Sequence, residues 1–292
     1  PQFVEDVMRF LDNVMNDFIE RAPDEFAHAK YSAMRERSVG LGVMGLHSYF
    51  QKKNIPFGSV MSKVWNKKVF KNIQEKVDAA SKSLAEERGA CPDAEEYGMK
   101  ERFSNKTAIA PTASISIICG GSSPGIEPIA ANSYTHKTLS GSFNVRNKYL
   151  KKILSKYKKD TDDVWSSITT NQGSVSHLDF LTAEEKDTFK TAFEIDQRWI
   201  VELGADRTPH ISQAQSINIF IPADIHKKDL HNLHFQAWKK GLKSLYYCRS
   251  KSIQRAENVN KGTSTDVTKN VYSQGQESNN ESNNYEECLS CQ

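Results

Sequence analysis

The sequence lacks any apolar run near the roughly 20 residues that a membrane-spanning helix requires. It also lacks a basic N-terminal segment leading into an apolar stretch, so PQFVEDVMRF does not read as a secretory signal. Cysteine is scarce: Cys91, Cys119, Cys248, Cys288 and Cys291 are too few, and odd in number, for a disulfide framework. A reducing cytoplasmic setting is therefore expected. Hydrophobic residues reach only 38% of the 292, against about 45–50% in an ordinary soluble domain. The shortfall is local. Beyond Arg255 the chain reads AENVNKGTSTDVTKNVYSQGQESNNESNNYEECLSCQ, almost without large apolar side chains. Such a stretch cannot bury enough surface to offset its ordering entropy, which predicts a disordered tail over 256–292 and a folded body over 1–255. Two lysines against six acidic residues leave the tail at −4, so the total of +3 puts +7 on the body. The chain opens on Pro1 rather than Met, which suggests processing or a piece of something longer.

Along the body, apolar residues at helical spacing from Phe3 to Phe18 predict an amphipathic helix over 2–19. A second is expected over 66–88, stopping at Gly89. The β-branched stretch TAIAPTASISII, broken by Pro111, predicts a short strand over its first residues, a loop, and a second extended piece ending at Ile118. A basic helix is expected over 149–157. A capping-box pattern, Thr182 with Glu185, opens a helix running to Leu203. QSINIFI over 215–221 reads as a strand, 229–242 as a helix, and 245–248 as a buried strand. The alternation of helices and strands favours an α/β architecture.

Several features bear on chemistry. Gly40, Gly42 and Gly45 match G-x-G-x-x-G, but no strand precedes them and no acid follows at the required distance. Close helix packing is the better reading. Thr112, Ala113, Ser114 and Ile115 occupy a loop of small and hydroxyl residues before a glycine-rich turn, a chemistry able to present N–H and O–H groups to a phosphate, although such loops are usually plain turns. Tyr246 and Tyr247 are ordinarily core residues, but adjacent phenols can relay an oxidising hole. Strand alternation would send their rings to opposite faces, so a stacked relay requires a break or strand end at that point. Cys288 and Cys291 form C-x-x-C near the end of the tail, spaced to close a disulfide reversibly. A flexible chain spans about 5–6 Å × √n, so this dithiol could reach tens of ångströms. The eight histidines are scattered without metal-binding spacing, and no metal site is expected. The lysines between Lys148 and Lys159 read as a solvated face, because no nucleic-acid module accompanies them.

Taken in order, RERSVGLGVMGL, PTASISIICGGSSPGIEP, ANSYTHKTLSGSFNVRN, QAQSINIFI, FQAWKKGLKSLYYCRS and the terminal ECLSC resemble the C-terminal half of the large (α) chain of class I ribonucleoside-diphosphate reductase. That resemblance implies an α/β fold, the C-terminal half of a ten-stranded α/β barrel, followed by a redox-active tail. By position it makes Thr112, Ala113, Ser114 and Ile115 the substrate-diphosphate loop, with Ile115 where a hydroxyl residue is common. It makes Tyr247 and then Tyr246 the radical relay. It makes Cys288 and Cys291 the pair that re-reduces an active-site disulfide and is recharged by thioredoxin or glutaredoxin. The partners implied are an N-terminal piece of the large subunit, a radical-generating small (β) subunit carrying the metal and tyrosyl radical, and a ribonucleoside diphosphate. No cofactor is assigned to this chain. The family's radical cysteine and its reducing pair have no counterpart here, since Cys91 and Cys119 sit in the wrong motifs. The chain alone is therefore expected to be inactive and to be one piece of a split subunit. Two alternatives are a free-standing dithiol oxidoreductase acting through the tail and a non-catalytic remnant or assembly module. A cobalamin-dependent relative would share the tail cysteines but lack the tyrosine pair.

Overall fold

The computed structural model describes residues 2–138 and 141–250. The helices are α1 (Gln2–Arg21), α2 (Ala27–Glu36), α3 (Leu46–Lys52), α4 (Val60–Arg88), α5 (Pro92–Glu96), α6 (Ala113–Ile118), α7 (Lys148–Lys156), α8 (Asp162–Thr170), α9 (Ala183–Thr188), α10 (Gln197–Arg207) and α11 (Lys227–Lys239). The strands are β1 (Ser133–Thr138), β2 (Gly141–Arg146), β3 (Ile219–Ile221) and β4 (Cys248–Ser250). The predicted tail over 256–292, with Cys288 and Cys291, lies outside the described residues.

The framework is a row of short parallel segments. Leu41 pairs with Thr107, Ile109 with Gln215, and β3 with β4, all parallel. Because parallel neighbours cannot be joined by a tight turn, each pairing needs a crossover. α3 and α4 lie between the first pair, and α11 lies between β3 and β4. The main core forms where these helices meet the row: Phe50, Phe57, Phe70, Ile109, Ile200, Leu203, Ile217 and Phe220 pack together. A separate cluster of Leu150, Leu154, Trp165, Ile168, Leu178 and Phe189 sits under α7 and α8, next to the antiparallel pair β1–β2. Asn147, at the start of α7, ties the two regions together by donating from Nδ2 to Gln51 Oε1 of α3.

Local rules explain the long helix. Ser59 and Ser62 form a reciprocal capping box at the start of α4, which satisfies N–H groups that have no intrahelical partner. Gly89 ends it at φ 86°. Arg207, 1% exposed, joins α10 to α4 and the parallel row through Asn66 Oδ1 (3.1 Å) and Gln215 Oε1 (2.5 Å). Burial pushes its pKa down to about 9.

Three expectations are corrected. The segment after Pro111 is helical (α6) rather than extended. Ile115, Ile117 and Ile118 are exposed there with no ladder neighbour to bury them, and Ser116 Oγ bonds back to the Ala113 carbonyl. The helix expected from Thr182 to Leu203 is two helices. Its capping box exists, but Glu194 caps the Thr191 N–H and hydroxyl, and Asp196 starts α10. The glycines pack against a strand segment rather than a helix: a Cβ on Gly42 would lie 2.5 Å from the Ala108 carbonyl oxygen.

α1 is fixed by one buried carboxylate. Asp12, fully buried, accepts from Arg37, Arg88 and Arg102. Burial alone would raise its pKa, but the three guanidiniums outweigh burial and hold it below the usual value. Removing one member of a buried ion cluster strands the others. Asp12→Asn is therefore expected to destabilise the chain by about 3–5 kcal/mol, measured as a lower urea midpoint with unchanged slope.

Candidate functional site

Tyr246 and the residues leading into the Thr112 loop border one cavity, whereas Thr112, Ala113, Ser114, Ile115 and Tyr247 do not line it. The cavity, of about 440 Å³, runs along the parallel row, and its wall includes Ile109, Ala110, Pro111, Ser216, Leu245 and Tyr246. One end of that wall leads directly into Thr112.

Thr112 is in the left-handed region, φ 53° and ψ 32°. For a β-branched residue that is a strained conformation, costing about 1–3 kcal/mol. It is held by a hydrogen bond from the Gly125 N–H to Thr112 Oγ1, at 2.8 Å. Gly125 is required there, since a Cβ would approach the Ala110 carbonyl oxygen to 2.9 Å. The turn is braced from the other side by Ser48 and Ser123, each of whose N–H groups donates to the other's hydroxyl. The left-handed turn launches α6, so Ala113, Ser114 and Ile115 form its first turn, and Ser114 and Ile115 are exposed.

The tyrosines do not lie within a buried strand, as the sequence pattern had suggested. Tyr246 and Tyr247 are 42% and 44% exposed, and β4 begins only at Cys248. Their ring centroids are 4.1 Å apart with planes inclined by 51°. The expected obstacle, alternation to opposite faces, is removed by a local irregularity. Tyr246 N–H donates to the Ile217 carbonyl, whereas the next ladder bond runs from Ile219 N–H to the Tyr247 carbonyl. Two residues thus occupy the interval that Asn218 spans alone, which is the defining feature of a bulge. The extra residue breaks the period of two and lets both rings lie side by side.

A bulge leaves one N–H without a ladder acceptor, and here a side chain supplies it. Asn218 Oδ1 accepts from Tyr247 N–H at 3.0 Å. The other end of the same carboxamide donates to Glu127 Oε1. Asn218 is 1% and Glu127 7% exposed. Burial pushes the Glu127 carboxyl up to about 7, against the smaller opposing effects of Arg249 and the Asn218 hydrogen bond. Neither Asn218 nor Glu127 was singled out from the sequence. The only signal was position, with Asn218 polar inside QSINIFI and Glu127 between Ile126 and Pro128 in a turn-rich stretch.

Of the remaining cysteines, Cys91 is buried, while Cys119 and Cys248 are exposed. Burial raises the Cys248 thiol pKa. Among the described residues, no three His, Cys, Asp or Glu side chains are grouped so as to hold a metal ion. No helix there is long and apolar enough to cross a membrane.

A parallel row joined by crossover helices is the framework of part of an α/β barrel. The family model described as "Ribonucleotide reductase, barrel domain" matches residues 2–101 and 92–248. The chain therefore belongs to the ribonucleotide reductase barrel-domain family. It is 48% identical over 261 residues to the ribonucleoside-diphosphate reductase large subunit of Invertebrate iridescent virus 6, covering 88% of this chain and 27% of that protein. It is 41% identical to the putative large subunit of Frog virus 3, covering 85% of this chain and 44% of that protein. The class Id ribonucleotide reductase alpha subunit of Actinobacillus ureae superposes with a TM-score of 0.79 at 40% identity, covering 85% of this chain and 46% of that one. The chain thus spans less than half the length of these relatives and corresponds to part of the large subunit.

The sign of the Glu127 shift makes a stability prediction. Its pKa rises from an ordinary 4.5 to about 7 on folding, so its contribution is fully present below 4.5 and is lost as pH rises through 7. Glu127→Gln removes this dependence. The stability of Glu127→Gln relative to the parent should increase from pH 4.5 to above 7 by on the order of 3 kcal/mol. Urea unfolding of the two proteins across that range measures the difference, and a flat difference contradicts it.

Proposed function

We propose that this chain is the C-terminal part of a class I ribonucleoside-diphosphate reductase large subunit. Joined to the rest of the large subunit and to a radical-generating small subunit, it reduces ribonucleoside diphosphates to deoxyribonucleoside diphosphates. The observation that carries the reading is the single cavity bordered by both Tyr246 and the residues entering the Thr112 loop. A relay and a substrate loop must open on the same space for a radical to reach a bound nucleotide.

In this reading Tyr247 takes the oxidising hole from the small subunit and passes it to Tyr246, and from there it goes to a cysteine supplied by the rest of the large subunit. The metal and tyrosyl radical belong to the small subunit and supply that hole. The 4.1 Å ring separation suits short-range transfer, and partial exposure leaves both rings open to further protein. Thr112, Ala113, Ser114 and Ile115 hold the diphosphate at the start of α6, the helix end that favours negative charge.

Removing the ribose 2′-OH directly is hard. Abstraction of the 3′ hydrogen by a thiyl radical makes its departure as water feasible. Two further thiols then supply the electrons and become a disulfide. Exchange with Cys288 and Cys291 reduces that disulfide and transfers the oxidation to the tail pair, which thioredoxin or glutaredoxin reduces in turn. We assign 1–255 to the barrel, 256–292 to the tether of this dithiol, and the whole to the reducing cytoplasm. The need for a completing piece is supported by α1, where Phe3, Phe10 and Val14 are 77%, 63% and 51% exposed, an apolar display that isolated soluble surfaces rarely carry.

In the assembled enzyme, Tyr246→Phe and Tyr247→Phe should each reduce deoxynucleotide formation by at least ~10³-fold, since phenylalanine cannot exchange a phenolic hydrogen, while subunit assembly measured by sedimentation stays intact. Cys288→Ser should permit about one round of turnover and then stop. Multiple turnovers by either tyrosine variant contradict the relay.

A further inference from the structure

The bulge that brings the two tyrosine rings together is not stabilised by the ladder itself. Its spare N–H, on Tyr247, is held only by a side chain, Asn218 Oδ1 at 3.0 Å. A carboxamide can rotate about its final bond and present its NH₂ end instead, which would set a donor against a donor. What prevents this is on the other side of the same group. Asn218 Nδ2 donates to Glu127 Oε1, and a carboxyl oxygen fixes which end of the amide faces which way. Glu127 closes the Pro124–Glu127 turn by donating its N–H to the Pro124 carbonyl, and the Gly125 N–H of the same turn holds Thr112. Asn218 immediately precedes β3, and Arg249 lies two residues beyond Tyr247, in β4. Glu127 and Arg249 are close enough for their charges to interact.

We propose that Asn218, oriented by Glu127, is the positioning device for the tyrosine relay: the carboxamide holds the bulge at Tyr247 and so sets the ring separation on which transfer depends. The inference rests on the relay reading above and names residues that touch neither substrate nor the phenol groups. It also links the two halves of the site. The turn that fixes the Thr112 loop and the clamp that fixes the tyrosine backbone share one short segment, residues 125–127. A change at Glu127 is therefore felt at the relay.

Losing the clamp leaves Tyr247 N–H to seek another acceptor, and the register then relaxes toward regular alternation, which separates the rings. Electron transfer between aromatic groups falls steeply with separation, whereas substrate binding at the Thr112 loop does not involve this bond. The signature is thus a loss in kcat without a change in KM.

The test uses the assembled enzyme, with this chain joined to the rest of the large subunit and the small subunit. Asn218→Ala should lower kcat by ~10-fold or more with KM for the diphosphate substrate unchanged. With 3-aminotyrosine placed at position 246 as a radical trap, downstream of the step across the ring pair, the aminotyrosyl signal seen by electron paramagnetic resonance should form with correspondingly reduced yield in that variant. Glu127→Leu should show the same pattern. Glu127→Gln keeps an acceptor oxygen for Asn218 Nδ2 and should restore turnover relative to Glu127→Leu. This pair keeps the test decisive if Asn218→Ala does not fold. Parental kcat and radical yield in Asn218→Ala, with Tyr247→Phe silent, overturn the positioning role and leave the relay standing. A raised KM at parental kcat also overturns it, by assigning Asn218 to substrate binding. Full turnover in Tyr247→Phe overturns the relay, and the positioning role falls with it.

Discussion

Parallel strand pairing has no short connection, and that constraint organises the molecule. Leu41 with Thr107, Ile109 with Gln215, and β3 with β4 are neighbours in space and distant in sequence. Everything between must leave the row, cross as helix or loop, and return. The long α4, the α7–α9 region and α11 are those crossings. Their apolar faces meet the row and form its core. Because every segment runs the same way, connections leave at one end and arrive at the other. The Thr112 loop follows directly from Ile109 and Ala110. Catalytic loops concentrate at such exits in α/β barrels.

Two local violations of regularity lie beside the cavity, one following Pro111 and one at Tyr246. Thr112 holds a left-handed backbone that a β-branched residue avoids, and the tyrosines sit on a bulge. Each is over-determined by buried polar partners, Gly125 and the Ser48–Ser123 pair for the first, Asn218 and Glu127 for the second. Backbone strain of this kind persists only where the surroundings over-determine it. The remaining buried charges act differently. Asp12 with its three arginines, and Arg207 with Asn66 and Gln215, lock helices to the framework. His47, fully buried and held neutral with its pKa pushed down to about 3 by desolvation, accepts the Ile129 N–H and steadies the chain just after Glu127.

Long periodic segments were legible in the sequence. α1, α7 and α11 fall within a few residues of where apolar spacing and terminal signals put them, and α4 ends where expected. α4 begins six residues early, at Val60, because a serine pair caps it ahead of the apolar repeat. Short elements were less legible, for reasons visible in the structure. TASISII has strand composition but no neighbour to pair with, so a left-handed turn at Thr112 converts it to α6. Leu245 to Cys248 has core composition, yet the bulge turns both tyrosines outward. β1, β2 and α8 carried no strong pattern and were not anticipated. The loop and the tyrosine pair were singled out through their order along the chain and family resemblance. Asn218 and Glu127 were not found, because a buried amide within an apolar strand looks like any other strand residue until its partners are known. The tail dithiol, Cys288 and Cys291, lies outside the described residues.

In the proposed function this chain carries a relay and a substrate loop that work only within a completed barrel. The exposed apolar side of α1 and a length below half that of its relatives both fit that view. The most direct measurement is deoxynucleoside diphosphate formation by this chain, alone and after joining to the remaining upstream portion of a large subunit with a small subunit and thioredoxin. The account predicts no product from the chain alone and sustained product from the complete assembly. Product from this chain alone, or its absence from an assembly that forms and carries the small-subunit radical, would contradict it.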